Sequence, residues 1–271
     1  MSRFTTCVFL SLLAFAPAAL AVDGIVLINQ STITNGLTGC PTGGHFPIVI
    51  CQSGSYRLSG NVTVPDANTS AIQINADNVT LDLNGFSILG PVGCGGNPVT
   101  CTQGSAAAVG IGNLFGNSYI TVSNGTIRGL GGYGILLSGT GILIERVKAA
   151  NNGIDGINVG GTSDTIITLC HANANGRSGF VGGGTLSNSS AINNGADGIT
   201  WYGGTVTGSV SAYNVGKAFV GLGVFIANYA IGAGGGFNAF DASVIISNVQ
   251  QVNGAPIIAP SGSVVLNNVA Q

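Results

Sequence analysis

The chain reads as all-β, a single-stranded parallel β-helix of roughly nine or ten coils of 19–23 residues, and three observations predict it. The first is a repeat. Taking Gly131, Gly153, Gly176, Gly195 and Gly216 as origins, the spacings are 22, 23, 19 and 21 residues, a period typical of solenoids. The second is the chemistry of the columns. Four positions before each origin stand Ile127, Ala149, Ala172, Ala191 and Ala212. Asn151, Asn193 and Asn214 lie two before, and Asn152, Asn175 and Asn194 one before. Four after come Ile135, Ile157, Phe180, Ile199 and Val220; six after come Leu137, Val159, Gly182, Trp201 and Leu222. The third is composition. Charged residues are 6% of the chain and 46 of 271 residues are glycine, so surface polarity rests on Asn, Ser and Thr at the bends.

Strand side chains alternate between faces, so the positions four and six after the origin point the same way, inward. Stacking coils about 4.8 Å apart pairs each strand with its equivalent above and below, in parallel and in register. Like residues then stack, and the sequence offers no crossover helices. Asparagines at the bends hydrogen-bond backbone groups and one another, and glycines supply positive φ or close approach.

In chain order, residues 1–21 read as a secretory leader: Arg3, an apolar run over 7–20, and Ala19-Leu20-Ala21 as a small-residue cleavage site. Residues 22–271 then form one domain. Residues 22–45 supply a first strand and an N-terminal cap. Short β segments follow at 48–51, 54–58, 61–64 and 71–75. Val79, Leu81 and Leu83 alternate with polar residues, and Asn84-Gly85 turns the chain. Residues 91–117 break the pattern and read as an inserted loop projecting from one coil. The core repeat runs to about residue 222, and residues 223–271 hold the last coils.

The apolar stretch 218–233 contains Asn228, Tyr229 and three glycines and is too short for a membrane span, so no transmembrane anchor is expected. Without Arg3, six Lys and Arg face nine Asp and Glu; no basic patch exists for a phosphate backbone, which argues against nucleic acid. Cys40 and Cys51 bracket one irregular loop and Cys94 and Cys101 another, which reads as two local disulfides in an oxidising compartment. Cys170 is left over, as a buried, inert thiol.

The coil pattern, with Gly54-Ser55-Tyr56-Arg57-Leu58-Ser59-Gly60-Asn61 and Asn78-Val79-Thr80-Leu81-Asp82-Leu83-Asn84-Gly85-Phe86, resembles the secreted right-handed parallel β-helix repeat proteins of bacteria, within the pectate-lyase-like superfamily. That resemblance, not the periodicity, implies the right-handed sense. It also implies binding, cleavage or epimerisation of an acidic extracellular or cell-envelope polysaccharide.

Candidate chemistry lies in two groups. Asp155, Arg177, Asp197 and Lys217 flank successive origins with alternating sign, as a row a uronate chain could follow or as an exposed salt-bridge ladder. Lys148 and His171 share the column five before the origin, beside Glu145 and Arg146, as a base next to an electrophilic partner or as a solvated patch. Lys148, His171, Arg177 and Lys217 are the catalytic candidates; Asp155, Asp197, Arg146, Tyr133 and Tyr202 are the substrate-binding ones. Trp201 falls in an inward column opposite the gap at Gly182 and reads as core. The resemblance brings calcium to mind, but the aspartates never adjoin in a column, so no cofactor and no metal site is expected. The facing acid pair of pectin hydrolases is not found. The function expected is polysaccharide binding with or without uronate lyase or epimerase chemistry, against a non-catalytic structural or adhesive module.

Overall fold

The computed structural model describes residues 24–40, 44–102, 104–113, 115–160, 164–232, 234–251 and 257–270. The expected leader lies outside the described residues. The remainder winds as a parallel β-helix of about ten turns, each turn contributing to three walls.

The inward register of the first wall runs Tyr56, Leu81, Val122, Ile144, Ile167, Leu186, Val206, Phe225 and Ile245. That of the second runs Val62, Ile88, Ile127, Ala149, Ala172, Ala191, Ser211 and Ala230. That of the third runs Ile48, Ile72, Ile111, Ile135, Ile157, Phe180, Ile199, Phe219 and Phe237. These side chains are buried and fill the interior as one continuous core. Alanine on the second wall leaves room for the isoleucines and phenylalanines of the third. Phe219 and Phe237 stack with ring centroids 4.5 Å apart, and Trp201 is fully buried between Gly182 and Gly221.

The register corrects the last origin of the repeat. Ile199 pairs with Phe219 and Ala191 with Ser211, so Val215, not Gly216, is the equivalent of Gly195. The inward residues of that coil are therefore Ser211, Phe219 and Gly221 rather than Ala212, Val220 and Leu222. Ser211 is tolerated inside because its hydroxyl donates to Ala218 O at 2.7 Å. The frame slips because Val215 takes the place of the column's glycine and the bend's glycine, Gly216, stands one residue further on, level with Ala196; glycine marks bends without fixing which bend residue it occupies.

Two ladders of polar side chains run up the bends. Between the second and third walls, Asn152, Asn175, Asn194 and Asn214 stack. Each Oδ1 accepts the backbone N–H one coil back, at Leu130, Asn152, Asn175 and Asn194, and the Nδ2 groups donate to wall carbonyls. Between the first and second walls, Ser189, Ser209, Asn228, Asn248 and Asn268 play the same part, above Cys170. The bend residue before each rung takes positive φ: Asn151, Ala174, Asn193 and Tyr213 in one column, Arg146, Leu169 and Asn188 in the other.

Three departures concern the ends and the insertion. The cap carries, besides the strand Ile25–Ile28, a one-turn helix Thr32–Asn35, which the sequence did not announce. The segment 91–117 is not one loop, since Ile111–Gly112 is a strand of the third wall with Ile111 fully buried. What is inserted is a hairpin, Cys94–Gly95 against Thr100–Cys101, and it does not project. It folds back on the bends, with Cys101 Sγ 3.5 Å from Asn152 O and 3.8 Å from Ala174 O. Glycine is required beneath it, for a Cβ on Gly195 would stand 2.9 Å from Val99 O. Both expected disulfides, Cys40–Cys51 and Cys94–Cys101, are formed.

Candidate functional site

The acidic side chains are spent on the backbone. Asp66, Asp77, Asp82, Asp155, Asp164, Asp197 and Asp241 each accept a main-chain N–H, from Asn68, Ser118, Asn84, Ser178, Gly141, Lys217 and Ala242. Glu145, the remaining acid among the described residues, pairs with Arg146. Asp77, Asp155, Asp164 and Asp197 thus do what the asparagines do, satisfying a donor of an adjoining coil, while Asp66, Asp82 and Asp241 cap an N–H one or two residues along their own turn.

This settles the geometry of the expected charge row. Asp155, Asp197 and Lys217 share one register column with Tyr133 and Ser178, while Arg177 stands one residue away, in line with Ile154 and Ala196. Asp155 is fully buried: Oδ1 accepts from Ser178 N at 2.9 Å and Oδ2 from Asn158 Nδ2 at 2.9 Å. It offers no free carboxylate to a ligand, which corrects its reading as an exposed member of the row. Arg177 Nε lies 3.9 Å from it, and Lys217 Nζ donates to Gly234 O at 2.9 Å. Tyr133 is half-buried and Tyr202 is exposed, at the distant corner between the third and first walls.

Lys148 and His171 do stand together. They pair in register on the outward face of the second wall, followed by Ser190, and both are exposed. His171 Nδ1 shares a 2.7 Å hydrogen bond with Ser190 Oγ, which leaves Nε2 toward solvent. With Asn173 and Ile192 these residues line a shallow groove of about 320 Å³. Asn173 Oδ1, shielded from solvent, has no hydrogen-bond partner in the protein. Arg146 sits on the neighbouring bend at φ 52°, its guanidinium held by Glu145 and by Asn124 Oδ1 at 2.7 Å.

One candidate side chain escaped the sequence reading. Arg128, exposed, lies one coil before Lys148 and two positions along, on the same outward face. Alternation would have found it, because positions five and three before the origin face the same way. Arg57, Arg146 and Arg177 are ion-paired and Lys217 is bound to a carbonyl; Arg128 and Lys148 have no such partner among the described residues.

Among the described residues no three His, Cys, Asp or Glu side chains converge on a common point. With every described aspartate already accepting a backbone N–H, the residues present do not fit the clustered carboxylates that calcium requires. The Cys170 thiol is fully buried, and burial pushes its pKa up to about 11, far from a thiolate nucleophile.

Fold and site together define the class: an elongated parallel β-helix with a shallow, weakly basic outward face. No family model and no curated protein matches the chain. Among solved structures it is similar to pectate lyase Pel9A, with 16% identity and a TM-score of 0.60 over 91% of this chain and 76% of that one. It is also similar to the Dettilon tailspike protein, with 14% identity and a TM-score of 0.52 over 82% of this chain; the match spans 60% of that chain. The A-module of the Azotobacter vinelandii mannuronan C-5 epimerase AlgE4 matches at 13% identity and a TM-score of 0.50, over 91% of this chain and 85% of that one. What these structures share with the chain is the architecture, a parallel β-helix.

Proposed function

We propose that the outward face of the second wall binds an acidic polysaccharide outside the cell, with Lys148, Arg128 and His171 as its contacts. The observation that carries this reading is the pair of unpartnered cations. Of the six Lys and Arg among the described residues, the two without an ion pair or carbonyl partner stand on adjacent coils of one face, beside an imidazole and an unsatisfied amide oxygen. A uronate chain lying along the solenoid would present carboxylates to the cations and hydroxyls to Ser190. The pectate lyase and epimerase names among the similar structures support the substrate class, and the two disulfides support export.

Processing is the second reading, favoured by the His171–Ser190 hydrogen bond. With Nδ1 held by Ser190, Nε2 of a neutral His171 takes the C5 proton of a uronate whose carboxylate faces Lys148. In elimination the electrons form the C4–C5 double bond and the C4–oxygen bond breaks, the leaving oxygen gaining a proton from water. Among the described residues each aspartate caps a main-chain N–H and Glu145 pairs with Arg146, so the two free carboxyls that hydrolysis uses are not offered there. Affinity electrophoresis in gels containing polygalacturonate or alginate tests binding: retardation is expected, and Lys148→Ala with Arg128→Ala should abolish most of it. Unchanged mobility in both polymers would refute the reading. An ultraviolet-absorbing unsaturated uronate, lost in His171→Ala, would add the chemistry.

A further inference from the structure

We propose that the cleft between the disulfide hairpin and the bend at Tyr213 is a separate glycan subsite, one that takes a neutral pyranose ring on the face of that tyrosine. The cleft measures about 590 Å³ and is lined by Gly96, Asn97 and Val99 on the hairpin side and by Asn193, Tyr213 and Val215 on the coil side. None of its lining side chains is charged.

Tyr213 is 58% exposed at φ 54°, in a column otherwise occupied by Asn151, Ala174, Asn193 and glycines. A bulky residue in this region carries backbone strain that glycine or asparagine would largely avoid. The ring lies on the next coil: a Cβ on Gly232 would come within 2.7 Å of Tyr213 Cδ1. One face is therefore fixed against backbone, and the ring is a pre-oriented platform on the cleft wall. The opposite wall is equally fixed, because the Cys94–Cys101 bond closes the hairpin and Cys101 Sγ rests 3.5 Å from Asn152 O. The C–H face of a pyranose stacks on such a ring, and the amides of Asn97 and Asn193 supply donors and acceptors for its hydroxyls. With no cation to meet a carboxylate, the cleft suits neutral sugars where the second-wall face suits acidic ones. It does not depend on that other reading.

Tyr119 provides the control. It has the same arrangement on another bend, 63% exposed at φ 57° with its ring over Gly141, and it does not line this cleft. The test is calorimetric titration of the whole protein with cellohexaose, maltohexaose and mannohexaose, with saturation-transfer NMR on whichever binds. Asparagine is native to the column, so Tyr213→Asn keeps the fold. It should weaken binding about tenfold or more, the order found for losing one stacking platform, while Tyr119→Asn binds as the parent does. Failure of all three oligosaccharides to bind, equal binding by Tyr213→Asn, or an equal loss in Tyr119→Asn would overturn the proposal.

Discussion

Asparagine carries this fold because its side chain holds an acceptor and a donor at peptide spacing. At Asn194, Oδ1 accepts both Asn175 N and Asn175 Nδ2, while Nδ2 donates to Ala172 O and to Asn214 Oδ1. Aspartate reproduces only the acceptor half and therefore caps single N–H groups, as Asp155 and Asp197 do. Replacing Asn194 by alanine strands the buried Asn175 N–H and the Ala172 carbonyl, which water does not reach. At roughly 1–3 kcal/mol for each of the two stranded groups, the variant should lose about 2–6 kcal/mol. Denaturant unfolding of Asn194→Ala against the parent measures this, and a loss below about 0.5 kcal/mol would show that the ladder is not a stabilising element.

The bend between the first and second walls couples several coils through charge. Asp82 lies beside Arg57 at 3.1 Å, and accepts from Asn84 N and Asn124 Nδ2; Asn124 in turn accepts from Arg146. Burial raises the Asp82 pKa, but the hydrogen bonds from Asn124 and Asn84 and the Arg57 charge outweigh it, leaving the carboxyl below its ordinary value. A depressed folded pKa means stability present above the unfolded carboxyl value of about 3.9 and lost as pH falls through the folded one. Asp82→Asn should therefore lower the melting temperature at neutral pH, and that deficit should shrink in acid below the folded value. A deficit constant across this range would mean that the carboxylate charge plays no part. The wall columns were legible in the sequence because burial on a strand leaves a period of two. This bend was not, since its residues pair across 22 to 42 positions, and nothing local to Asn124 names Asp82 and Arg146 as its partners. The same reason hid the structural use of Asp155: a carboxylate capping an N–H in the next coil looks, in sequence, like a surface charge. Arg128 was legible and missed, because its neighbours in the column are Ala150, Asn173 and Ile192, which drew no attention to it.

A solenoid is held by contacts between neighbouring coils, so its stability is close to a sum of coil and interface terms. The two ends differ. Residues near the N-terminal end are clipped by Cys40–Cys51 and accompanied by the helix Thr32–Asn35, while Val264, Val265, Leu266 and Val269 in the last described coil are 43–52% exposed. The middle holds Trp201, whose indole fills the space above Gly182 and below Gly221 and donates to Gly184 O at 3.1 Å. No larger side chain is buried in the core. Truncating it to alanine opens a cavity and should cost about 3–5 kcal/mol. Because the damage sits at one interface, the coils on its C-terminal side lose the support of the clipped half while that half keeps its own. Hydrogen exchange of Trp201→Ala should then show residues 219–251 losing protection at lower denaturant than residues 48–150, where the parent loses both together more closely. Protection lost in step along the whole chain would mean that coupling between coils extends well beyond nearest neighbours, and that the helix melts as one cooperative unit despite its linear form.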